Sequence, residues 1–138
     1  MSDVRMCPFG HTTIIRTSPF HDAKQAIHLT LTLIMLWLGC ILVLPESTFS
    51  TSHSYRAMAI VATEEHWAAA FFVVAGMGFV GLFVTGPIRK FSVIGLATMH
   101  GTLAVCLYMG NPSGTGPGTY AIIACLGYYL LYMRLFHR

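Results

Sequence analysis

The feature that most constrains this chain is a long apolar stretch near its beginning. Residues Ala26 to Leu44 run for about nineteen positions without an Asp, Glu, Lys or Arg side chain. About twenty such residues cross the hydrocarbon core of a bilayer as a helix. Three later stretches are similarly apolar: Trp67 to Thr85, Phe91 to Met109 and Tyr120 to Phe136. Lipid offers the backbone no hydrogen-bond partners, so each stretch is expected to be helical.

The sequence therefore predicts an all-α membrane protein, a four-transmembrane-helix bundle with up-down antiparallel topology. Composition agrees, because 55% of the 138 residues are hydrophobic and 9% are charged, whereas soluble domains carry about 25% charged residues. We divide the chain into an N-terminal tail, residues 1-25, and a transmembrane domain, residues 26-138. The lipid bilayer is the expected surrounding, and a formal charge of +3 does not indicate a nucleic-acid partner.

The basic residues predict the orientation. Of the eight Lys and Arg residues, only Arg56 falls on the side of the membrane that faces the connection between the first two spans, which also carries Glu46, Glu64 and Glu65. The other Lys and Arg residues lie on one side of the predicted bundle, and they are Arg5, Arg16, Lys24, Arg89, Lys90, Arg134 and Arg138. The positive-inside rule then places both termini in the cytoplasm.

The connections are predicted from their turn residues. Gly86-Pro87 is expected to end the second span, with Arg89 and Lys90 in a short turn, and Gly110 to Gly118 is expected to be irregular. Two interpretations stay open for the segment before the second span. It forms either a short amphipathic helix near Tyr55 in the membrane interface or the first turns of one helix running from Tyr55 to Thr85.

Small residues indicate where helices approach closely. Ala75, Gly78 and Gly81 recur at i, i+3 and i+6 on the second span, and Gly95 and Gly101 lie on the third. Small-residue faces let helices pack in lipid, so we expect these positions to drive helix packing and assembly into a homo-oligomer or with another membrane protein.

Residues at the ends of the spans are predicted to anchor them in the membrane interfaces. Trp67 lies at the start of the second span, where an aromatic belt is expected. Arg89, Lys90 and Arg134 lie at the opposite ends of their spans, where basic side chains meet the headgroups. Trp37, near the middle of the first span, is expected to face another helix because its indole N–H needs a partner.

Polar residues within the spans are the candidate functional positions. His100 lies near the middle of the third span between Thr98 and Thr102, and His28 lies one turn inside the first. Intramembrane ionisable groups often mark a pathway. The favoured interpretation is a neutral imidazole bonded to Thr or Tyr of a neighbouring helix, and the alternative is a proton relay through His100.

Catalytic, cofactor and metal sites are not indicated. Haem needs two axial ligands at one depth, but His28, His100 and His66 are predicted at three different depths. The sequence Glu64-Glu65-His66 lacks the second histidine of a zinc-protease motif, and its carboxylates suit a helix N-terminus. We therefore expect no enzyme activity.

The segment from Leu44 to Phe136 resembles a loose family of small phage-encoded membrane proteins of the holin type. The similarity lies in short words in a fixed order, and it covers about two thirds of the chain. The words are Phe49…Ser54-Tyr55, Glu64 to Trp67, Arg89…Phe91-Ser92, Asn111-Pro112-Ser113-Gly114-Thr115-Gly116, Tyr120 and Tyr132-Met133-Arg134. The resemblance implies a phage or prophage setting with membrane permeabilisation, and it assigns no catalytic residues.

Three functions follow as hypotheses. The first is an oligomeric, holin-like membrane protein. The second is a structural or partner subunit, such as a virion or ejection component or a superinfection-exclusion factor. The third is a conduit for protons or small solutes that uses His100.

Overall fold

The computed structural model describes residues 23–44, 48–51 and 53–136. Nearly all of the predicted N-terminal tail, residues 1-25, therefore lies outside the described residues. The elements in chain order are α1 (Ala23–Val43), α2 (Thr48–Thr51), a 3-10 turn (His53–Tyr55), α3 (Arg56–Val61), α4 (Glu64–Phe83), α5 (Pro87–Gly110) and α6 (Thr115–Phe136). Four of these helices are long and apolar enough to cross a membrane. The predicted all-α fold with four spans is confirmed.

The four long helices pack in a ring. Helix α1 packs on α4, α4 on α5 and α5 on α6, and α6 returns to α1 through a smaller contact. We call the end that holds the starts of α1 and α5 and the ends of α4 and α6 the basic end, because it carries Lys24, Arg89, Lys90 and Arg134. The other end, covered by residues 48–51 and 53–61, is the loop end.

Helix α5 begins earlier than the sequence indicates. Pro87 occupies its first turn, and Gly86 before it has a φ of 88°, which glycine adopts without steric cost. Proline fits a first turn because its fixed φ is already helical and its missing N–H has no partner there. Arg89 and Lys90 therefore lie in the helix itself, and their prediction as turn residues is wrong.

Helix α6 also begins earlier, and the prediction of an irregular Gly110–Gly118 is wrong over its second half. Thr115 starts the helix, and the Thr119 hydroxyl donates to the Thr115 carbonyl over 3.0 Å. Pro117 is tolerated because the first turn leaves N–H groups without intrahelical partners. The connection between α5 and α6 is thus shorter than predicted.

The segment before α4 is not part of one long helix. Ala62 has extended backbone, with φ −160° and ψ 164°, and it separates α3 from α4. Met58 of α3 is fully buried, and the Trp67 indole N–H donates to the Met58 carbonyl over 3.0 Å. The Phe49 N–H donates to Glu64. Residues 48–51 and 53–61 therefore cover the loop end as short helical pieces.

The interior between the helices is apolar. Met35, Phe71, Leu96 and Leu103 are among its fully buried side chains. Trp37 is 67% exposed, so the prediction that it faces another helix is wrong. On α1 the buried positions Leu31, Met35, Leu38 and Leu42 define one face, and Trp37 falls outside it because it shares the exposed face with Leu33 and Leu44.

Candidate functional site

The small residues of α4 face into the bundle. Ala75 is 1% exposed. A Cβ atom added at Gly78 would lie 2.5 Å from the Thr32 hydroxyl of α1, and one added at Gly81 would lie 2.0 Å from the Ser92 hydroxyl of α5. This face is therefore occupied by helices of the same chain. The sequence suggested that it would also form contacts between chains, but it is not a free surface for them.

The glycines of α5 do not form such a contact. A Cβ at Gly95 would meet nothing within 4 Å, and one at Gly101 would meet only the Ala124 methyl at 3.9 Å. The prediction of Gly95 as a packing residue is wrong. The close approach between α5 and α6 is instead at Gly127, where a Cβ would lie 2.8 Å from the Cβ of Ala97. The small residues Ala97, Ala124 and Gly127 carried this signal in the sequence.

Polar side chains from three helices meet at the basic end. His28 of α1, Ser92 of α5 and Arg134 of α6 form what we call the basic-end cluster. The His28 Nε2 atom lies 3.3 Å from Ser92 Oγ, and the His28 Nδ1 atom lies 3.3 Å from an Arg134 guanidinium nitrogen. His28 is fully buried and Ser92 is 1% exposed. These contacts join the first, third and last spans at one depth.

The hydrogen bonds of the basic-end cluster form a chain in which each group donates to the next, from Arg134 through His28 to Ser92. A guanidinium only donates, so Nδ1 of His28 must accept and carries no proton. In this neutral tautomer Nε2–H donates to Ser92 Oγ. The Ser92 hydroxyl in turn donates to the Arg89 carbonyl over 2.9 Å. Both imidazole nitrogens of His28 are thereby satisfied, which is what a buried polar group requires.

Arg89 connects the same end to α4. Its Nε–H donates to the Gly81 carbonyl and its terminal nitrogen to the Leu82 carbonyl, each over 3.0 Å. The last carbonyls of a helix have no intrahelical donor, and a basic side chain there also suits the helix dipole. Arg89 and Arg134 therefore tie helices together, in addition to their predicted place at a membrane interface.

The other two predicted interfacial anchors are Lys90 and Trp67. Lys90 is half-buried beside Arg89. Trp67 is only 7% exposed, because its ring lies against Phe71 and its N–H reaches the Met58 carbonyl. Trp67 thus holds α3 against α4 inside the protein, and its prediction as an anchor facing the lipid is wrong.

His100 is fully buried, but its partner is not the predicted Thr or Tyr hydroxyl. Its Nδ1 lies 2.8 Å from the Leu96 carbonyl of its own helix. A carbonyl only accepts, so the proton is on Nδ1. The Nε2 atom has no hydrogen-bond partner among the described residues. The Tyr120 ring of α6 stacks on the imidazole, with centroids 6.4 Å apart.

The remaining predicted polar residues do not join His100 in a path. Thr98 and Thr102 are exposed, and the Thr102 hydroxyl donates to the Thr98 carbonyl. Between Ser92 and His100 the fully buried α5 side chains are apolar, and they are Val93, Leu96 and Ala97. Among the residues that the structure describes, no three His, Cys, Asp or Glu side chains are grouped to hold a metal ion.

Replacement of His100 by Phe is expected either to lower the free energy of unfolding by less than about 1 kcal/mol or to raise it. The change removes a buried nitrogen without a partner, and the Leu96 carbonyl keeps its place in the α5 backbone ladder. Denaturant titration in detergent micelles measures the difference. A loss above about 2 kcal/mol would reveal a donor to Nε2.

The fold and its contacts define a class, that of small helical membrane proteins in which four spans enclose a mostly apolar interior. Comparisons with protein-family models, with curated proteins and with solved structures find no match to this chain.

Proposed function

We propose that this protein is an integral inner-membrane protein of a phage or prophage that acts by assembling in the bilayer and permeabilises it in the manner of a holin. The observation that supports assembly is the surface of α6. In the membrane-spanning window of α6 17% of the residues are buried, against 33–44% in the other three long helices. Helix α6 therefore offers the largest free face to another membrane protein or to a second copy.

Among the described residues, the buried side chains of one bundle are mostly apolar and do not form a continuous polar path along its axis. The cavity among α1, α4 and α5 beneath Tyr55 and Tyr120 measures about 10 Å³, room for about one water molecule. Met58 and Trp67 close the loop end, and the basic-end cluster closes the other. Permeabilisation by this protein would therefore require a path between copies.

A groove on the outside of α5 and α6 supports assembly through this same side of the bundle. It measures about 550 Å³ and opens to the surroundings at the loop end. Its lining includes the small residues Ala104, Gly114, Gly118 and Ala121. Small residues allow helices to approach closely in lipid, so this side of the bundle is the proposed contact between copies.

Inducible expression in a bacterial host tests the function. The expected result is an abrupt, timed loss of membrane potential and viability, because holin-like assembly is cooperative. Expression with no effect on potential would favour the second candidate, a partner subunit of a larger membrane assembly, for which the exposed α6 face is equally suited. The third candidate, a proton conduit, is disfavoured by the apolar residues between Ser92 and His100.

We predict that both termini are cytoplasmic, since the basic end carries four of the described Lys and Arg residues. In a chain whose native cysteines are replaced, a membrane-impermeant thiol reagent should label Ser113→Cys from outside intact cells. Lys90→Cys should react only after the membrane is opened. This pair keeps Arg89 and its bonds to α4 intact. Labelling of Lys90→Cys from outside would reverse the orientation.

A further inference from the structure

We propose that the basic end holds a binding site for the phosphate of an anionic phospholipid. The site is formed by Arg89 and Arg134, and Lys24 and Lys90 lie at the same end of the bundle. The four cationic groups come from α1, α5 and α6. The inference concerns lipid binding by one bundle and is independent of whether the protein permeabilises the membrane.

The two guanidinium groups are held in place before any ligand arrives. Arg134 donates to His28 Nδ1 over 3.3 Å and to the Lys24 carbonyl over 3.4 Å. Arg89 donates to the Gly81 and Leu82 carbonyls. Both side chains are half-buried. A fixed cation loses little conformational entropy on binding, so these contacts favour a specific site over a mobile basic surface.

The described residues place no carboxylate at the basic end. Among the described residues the carboxylates are Glu64 and Glu65, and both lie at the loop end, in the first turn of α4. Asp3, Asp22 and Glu46 lie outside the described residues. The described part of the basic end is therefore positive, which attracts the anionic headgroups of a cytoplasmic leaflet.

The surroundings of the cations favour a lipid over a soluble phosphate. Exposed apolar side chains cover the outside of α5 and α6 at the basic end. Ile88 and Phe91 lie in the same turn of α5 as Arg89, and Phe136 lies in the last turn of α6 with Arg134; their exposed fractions are 50%, 63% and 69%. These side chains point to other faces of their helices than the arginines, but they place apolar helix surface at the same depth. A ligand with an anionic group at the basic end would therefore have apolar surface next to it. A phospholipid has this combination of a phosphate and acyl chains.

Spin-labelled lipids measure the proposed preference directly. The protein is reconstituted in phosphatidylcholine vesicles, and its association with labelled phosphatidylglycerol is compared with that of labelled phosphatidylcholine. We expect preferential association with phosphatidylglycerol. Each of Arg134→Gln, Lys24→Gln and Lys90→Gln should reduce that preference, by up to about fivefold per cation removed. Arg56→Gln, at the loop end, is the matched control and should leave the preference unchanged.

Several outcomes would overturn the proposal. The first is a wild-type protein without preference for the anionic lipid. The second is an equal loss in Arg56→Gln. The third is displacement of the lipid by inorganic phosphate at millimolar concentration, which would indicate a soluble anion site. Because Arg134→Gln also disturbs the cluster with His28, the two lysine variants keep the test valid if that variant does not fold.

Discussion

Gly81→Ala is expected to lower the free energy of unfolding by about 1–3 kcal/mol, although alanine is the better helix former. The added Cβ would lie 2.0 Å from the Ser92 hydroxyl and 3.1 Å from the His28 ring. Both neighbours are buried and belong to the basic-end cluster, so α4 must move away from α1 and α5. Denaturant titration in detergent micelles measures the loss.

Gly76→Ala is the matched control on the same helix. Gly76 is exposed, and a Cβ there would meet nothing within 4 Å. The substitution gains helix propensity without a clash, so the free energy of unfolding should stay constant or rise by up to about 1 kcal/mol. If the two variants behaved alike, the close approach of α4 to α5 at Gly81 would be disproved.

His28→Leu is expected to cost about 2–3 kcal/mol of unfolding free energy. It removes the acceptor of a charged guanidinium and the donor to a buried hydroxyl, and hydrogen bonds to charged groups are the stronger ones. His28→Gln should recover most of the loss, because an amide oxygen can accept from Arg134 while the amide nitrogen donates to Ser92.

A second measurement separates this effect from a general packing defect. Spin labels on α1 and α6 at the basic end should move apart in His28→Leu and stay close in His28→Gln. The contact between these two helices is the smallest between neighbours in the ring, so it should respond first. An unchanged distance in His28→Leu would show that the cluster does not hold α1 to α6.

Much of the fold could be predicted from the sequence, because the thickness of a bilayer fixes how long an apolar helix must be. The ends of the helices were harder. Pro87 and Pro117 indicated breaks, yet both fit the first turn of a helix, where no N–H is needed. The break at Ala62 carries no such signal in the sequence.

The rotation of each helix about its own axis was the second feature that the sequence predicted poorly. Gly76 and Gly78 are two positions apart in one apolar run, but only Gly78 meets another helix. Trp37 was placed inside because its indole N–H needs a partner, whereas the packing of α1 turns it outward. In a span that is hydrophobic all round, the periodicity that orients helices in soluble proteins is weak.

The cluster at the basic end could be predicted only in parts. His28 and Arg134 were each candidates in the sequence, but they are 106 positions apart. Ser92 lies 64 positions from His28. No local sequence pattern pairs these residues. Their contact arises because the starts of α1 and α5 and the end of α6 lie at a common depth.

The bond between His28 and Arg134 also has a consequence for biogenesis. During synthesis α1, α4 and α5 precede α6, so the bond from His28 to Ser92 can form while the last span is still being made. The other imidazole nitrogen receives its donor only when Arg134 arrives. Until the last span is in place, the buried Nδ1 atom of His28 therefore lacks its donor, and α5 lacks the contacts that α6 makes with it at Gly127 and Tyr120.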